Sequence, residues 1–164
     1  MAANWKKIDK SIFTPLLIAA VVLLPIVYLI ATGLLHQNNY RTFLYALSDA
    51  TVYCSQNDSL RASQEEGDAR VTEENAYALY FLFTKKQAKP RNAVPEEAPQ
   101  LVLDYGSGAL LECWTHKMEE GARRTYGILW RFTDPEGTIW IFDTDDLSMS
   151  LLKRRSKPEY NQPW

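Results

Sequence analysis

The sequence predicts an α+β protein: one N-terminal transmembrane helix followed by a small domain of two helices and a four-stranded antiparallel β-meander. Three observations predict it. A 24-residue stretch, Ile12 to Leu35, carries no charged side chain. Apolar residues then recur at helical spacing to about residue 84, and from Leu101 the pattern changes to period two.

As a helix rising about 1.5 Å per residue, residues 12–35 would span roughly 36 Å, enough to cross a bilayer with some tilt. Only Thr14, Tyr28 and Thr32 offer polarity there, whereas a helix with one side in water would show polar residues at regular spacing. Lys6, Lys7 and Lys10 precede the stretch and only Arg41 follows it closely. The tail 1–11 is therefore expected in the cytoplasm and the remainder of the chain outside, at the cell membrane. Ala31-Thr32-Gly33 offers small residues to a signal peptidase. The apolar run nevertheless exceeds the roughly 7–15 residues of a signal-peptide core, so retention as a signal anchor is expected.

Without Lys6, Lys7, Lys10 and Asp9, the 18 Lys+Arg and 20 Asp+Glu of the chain become 15 and 19, a net charge of −4. No basic stripe with interleaved aromatics is present, which excludes nucleic acid as an expected partner. The run Lys153 to Lys157 reads as a solvated segment near a helix end rather than as a contact for an anionic polymer.

Residues 36–84 form the helical part of the outer domain. Tyr40, Phe43, Leu44, Leu47, Thr51 and Cys54 fall at spacings of three and four, one face of an amphipathic helix. The polar stretch from Ser55 to Arg70 reads as a loop. A second helix starts with Thr72 as N-cap, Glu73 and Glu74 in the first turn, and Val71 placed to staple against Ala76. Residues 85–100 carry three prolines and read as a linker of extended or irregular backbone.

Residues 101–146 are the predicted sheet. A three-residue loop at Gly106-Ser107-Gly108 would pair Tyr105 with Ala109, Leu103 with Leu111 and Leu101 with Cys113, setting all six on one face. Asp134, Pro135 and Gly137 match the first, second and fourth places of a type I turn. Asp134 and Glu136 are thus expected at a hairpin tip, with no catalytic role. The C-terminal segment 147–164 reads as a short helix beginning near Leu147, capped by Asp145 or Asp146, and then a tail.

Chemistry-bearing residues are sparse. Cys54 and Cys113, the two cysteines of the chain, form a candidate disulfide in an oxidising exterior. Cys113 and His116 lie three apart on a strand and so point to opposite faces, which argues against a shared ion. Asp143, Asp145 and Asp146 resemble a calcium-loop spacing, but Ser148 and Arg154 stand where the loop needs glycine and glutamate. No metal, no cofactor and no recognisable catalytic constellation is expected, and the chain does not read as an enzyme.

The second face of the sheet is the more informative feature. With Ile128, Trp130, Phe132, Ile139 and Ile141 under the helices, Leu110, Glu112, Trp114, Leu129, Arg131, Trp140 and Phe142 point the other way. So many large apolar side chains need a cover. Three covers are conceivable: the C-terminal segment with Leu147, Met149, Leu151, Leu152 and Trp164; a second protein chain; or a ligand. The functional expectation is a bacterial, membrane-anchored, extracytoplasmic binding or assembly module. It would be an accessory subunit of an envelope complex, meeting a protein partner or itself through that face. The rival expectations are a small envelope enzyme using Glu112 and Asp143, and an outward sensor. With only residues 1–11 inside, a sensor would have to signal through a partner.

Overall fold

The computed structural model describes residues 10–65, 67–84, 88–117 and 126–157. Lys6, Lys7, Trp164 and residues 118–125 of the predicted sheet lie outside these described residues. By compactness the chain divides into two units, Met1–Asn39 and Tyr40–Trp164.

Helix α1, Lys10–Asn57, is a single element of 48 residues, where the sequence reading expects two. The polar residues His36 to Asn39 each cost a helix only a fraction of a kcal/mol, and no proline stands among them to end it. In the first unit its apolar side chains from Ile18 to Leu35 are all exposed, Leu29 at 68% and Leu35 at 69%. Thr32 satisfies its own hydroxyl by donating to the Tyr28 carbonyl at 2.9 Å.

In the second unit α1 buries Phe43, Leu47, Thr51 and Cys54 of the stripe its spacing predicts, leaves Tyr40 and Leu44 half-buried, and adds Ala50. Helix α2, Glu73–Thr84, opens as expected: the Asn75 amide donates to Thr72 Oγ1 at 3.4 Å, and Val71 and Ala76 are both buried. Helix α3, Met149–Arg155, starts later than the sequence suggests. Leu147 is fully buried in the core, and the cap is Ser148, whose hydroxyl accepts from the Leu151 amide. Asp145 and Asp146 do not cap it.

The sheet has seven strands and not four: β1 Arg61–Gln64, β2 Gly67–Arg70, β3 Lys89–Pro90, β4 Leu101–Asp104, β5 Leu110–Lys117, β6 Tyr126–Thr133 and β7 Ile139–Thr144. Their order is β2-β1-β4-β5-β6-β7-β3, with every pair antiparallel. The expected meander is β4 to β7. The other three lie where the sequence reads as loop and linker. β1 and β2 are polar and bury only Ala62 fully, so pairing with β4, rather than an apolar alternation of their own, makes them strands.

The β4–β5 register is the predicted one: Leu101 faces Cys113, Leu103 faces Leu111, and the Tyr105 amide donates to the Ala109 carbonyl at 3.1 Å. The hairpin tip is held against the end of α1, where the Ser59 hydroxyl donates to the Tyr105 carbonyl at 2.6 Å. Gly106 has φ 75°, and a Cβ there would sit 2.5 Å from the Ser59 Cβ, so glycine is required twice over.

β7 is one residue out of step with the sequence reading. Phe142 faces Trp130 and Trp140 faces Phe132, so Trp140 and Phe142 belong to the helix side, while Ile139, Ile141 and Asp143 belong to the reverse. The cause is the turn. Read as a two-residue loop, Pro135-Glu136 would pair Asp134 with Gly137. Instead Gly137, at φ 85°, adds a third loop residue, and the Asp134 amide bonds the Thr138 carbonyl at 3.0 Å. A type I turn followed by a left-handed residue makes such a three-residue hairpin, and the extra residue exchanges the faces of the strand behind it. The core between helices and sheet is consequently aromatic, with ring centroids 5.2 Å apart for Phe83 and Trp130 and 5.5 Å for Phe43 and Phe142.

Candidate functional site

The reverse face of the sheet is built in rows across β5, β6 and β7. Leu110, Thr133 and Ile139 form the first row, Glu112, Arg131 and Ile141 the second, and Trp114, Leu129 and Asp143 the third. Of the seven residues the sequence places on this face, Leu110, Glu112, Trp114, Leu129 and Arg131 are brought together. Trp140 and Phe142 are not, because they lie in the core on the other side.

Arg131 and Glu112, directly opposed across β5 and β6, form a bidentate pair: Nε donates to Oε2 at 2.5 Å and Nη2 to Oε1 at 2.8 Å. The guanidinium carbon lies 5.7 Å from the centre of the Trp114 ring, within cation–π range. The hydrogen bond to Glu112 raises the Arg131 pKa, which holds the guanidinium in its charged form.

The third row is already covered by the chain itself. β3 pairs with β7 and β4 pairs with β5, so residues 91–100 must cross over β7, β6 and β5 to join them. They do so on the reverse face, where the Trp114 indole N–H donates to the Glu97 carbonyl at 2.8 Å and Arg91 Nε donates to Asp143 Oδ2 at 2.6 Å. Trp114, Leu129 and Asp143 are thereby buried. None of the three expected covers is this one. The described part of the C-terminal segment, residues 147–157, lies on the helix side instead, with Leu147 and Leu152 in the core and the Lys157 carbonyl accepting from the Asn75 amide group at 3.5 Å. What stays open is the first two rows, with Ile139 56% exposed and Leu110 36%.

His116 Nε2 stands 3.6 Å from Asp143 Oδ2, and its Nδ1 is buried with no hydrogen-bond partner among the described residues. Arg91 went unnoticed in the sequence because the segment that carries it has no periodicity to assign a face. Cys113 and His116 do point to opposite faces, the first into the core. Cys54 and Cys113 are free thiols, both buried, and the candidate bridge is not formed in this structure. Burial pushes the Cys54 thiol up to about 11 and raises Cys113 far above its ordinary value, so both are held protonated and poorly nucleophilic. Among the described residues no three His, Cys, Asp or Glu side chains group to hold a metal ion.

A groove of about 320 Å³ lies at the tip end of the sheet, between Asp49 and Tyr53 of α1 and the Ser107 and Asp134–Glu136 turns. Its carboxylates serve structure in part: Asp134 Oδ1 accepts from the amides of Glu136 at 2.9 Å and Thr138 at 2.8 Å. No family model, no curated protein and no solved structure matches the chain.

Proposed function

We propose that the chain is a single-pass membrane protein whose second unit is held outside the cytoplasm as a binding or assembly module. The observation that carries this reading is the apolar run of α1. Every side chain from Ile18 to Leu35 is exposed, and none is charged. Packing among the described residues gives them no cover, and a hydrocarbon layer would. The lysines ahead of the run favour an inward N-terminus.

The contact surface in this reading is the open part of the reverse face, Leu110, Glu112, Arg131, Ile139 and Ile141. It has the make-up of an interface patch, with apolar residues around a partly desolvated arginine pair. Carboxylate chemistry is the less favoured alternative because Glu112 and Asp143 are each engaged by an arginine. Two measurements on the full chain test the reading. Carbonate washing should leave the protein in the membrane pellet, and release into the supernatant would overturn the anchor. A Leu110→Asp/Ile139→Asp double variant with an unchanged melting temperature should lose a specific in-cell crosslink formed by the wild type. An unchanged crosslink pattern would remove this surface from consideration.

A further inference from the structure

We draw no further inference here: the strongest candidate, the groove at the tip end of the sheet lined by Asp49 of α1 and by Asp134 and Glu136 of the β6–β7 turn, carries nothing because it is an acidic cluster and no second observation among the described residues points to what would fill it.

Discussion

On its helix side the sheet presents Trp130, Phe132, Trp140 and Phe142 to a dry aromatic core. On its reverse the alternate residues of the same strands present Glu112, Arg131, Leu129 and Asp143 to a strap of irregular chain and to solvent. The sequence of β6 and β7 is dense in large residues on both sides, so composition does not separate the faces. The separation comes from parity, and parity is set by turns. One residue in the left-handed region, Gly137, decides that Trp140 is core and Ile139 is surface. The reverse face then gets its cover from the 91–100 crossing, which the edge position of β3 makes unavoidable.

The strongest way to break this contrast is to place the same charge on adjacent residues of β7. Trp140→Lys puts an unpaired ammonium among Phe132 and its neighbours, and is expected to cost more than about 4 kcal/mol and to abolish cooperative melting. Ile139→Lys should stay within about 0.5 kcal/mol of the wild type. A reversed order of melting temperatures for the two full-length variants would mean that the register is wrong.

Alkaline pH sharpens the helix side. Cys54 keeps its proton to about 11 in the folded chain but to its ordinary 9.0 when unfolded. Between those values the unfolded state binds fewer protons, so stability falls as pH rises. Denaturation at pH 9 and pH 11 should show a loss about 2–3 kcal/mol smaller in Cys54→Ala than in the wild type. An equal loss would show that the thiol meets water.

On the reverse, Arg91→Ala leaves Asp143 buried without its arginine and should cost about 2 kcal/mol, below the usual range for a buried pair because Arg91 itself is 42% exposed. Adding Asp143→Asn should recover part of that cost, and a double-mutant cycle that gives no coupling would detach the strap from this anchor. Arg131→Ala should be milder than Arg91→Ala, about 1 kcal/mol and diminished by salt, since both partners of its pair reach water.

Much of this was legible before the fold was known. The N-cap at Thr72, the buried stripe of α1 and the β4–β5 register follow from spacing, because each is a local pattern with a strong apolar signal. The three short strands were not, because Arg61–Gln64, Gly67–Arg70 and Lys89–Pro90 carry almost no apolar alternation and exist through the partners they pair with. The β7 faces failed for a narrower reason: Asp134-Pro135-Glu136-Gly137 fits a four-residue turn as well as the five-residue connection that forms, and the two differ by one residue of register. The candidate contact face was half legible. Glu112 and Arg131 were assigned to one face together, while the strap over Trp114 depends on strand order, which no local pattern encodes.

The outermost strands of the sheet, β2 and β3, are four and two residues long. β3 includes Pro90, which has no N–H to offer, and β2 carries Gly67 and the charged Asp68 and Arg70. A neighbouring copy that approached either edge would find too few free backbone groups in line to extend the ladder. The two short strands omitted from any reading of the core thus act as end-stops, closing a hydrogen-bonded surface that would otherwise template its own growth from molecule to molecule.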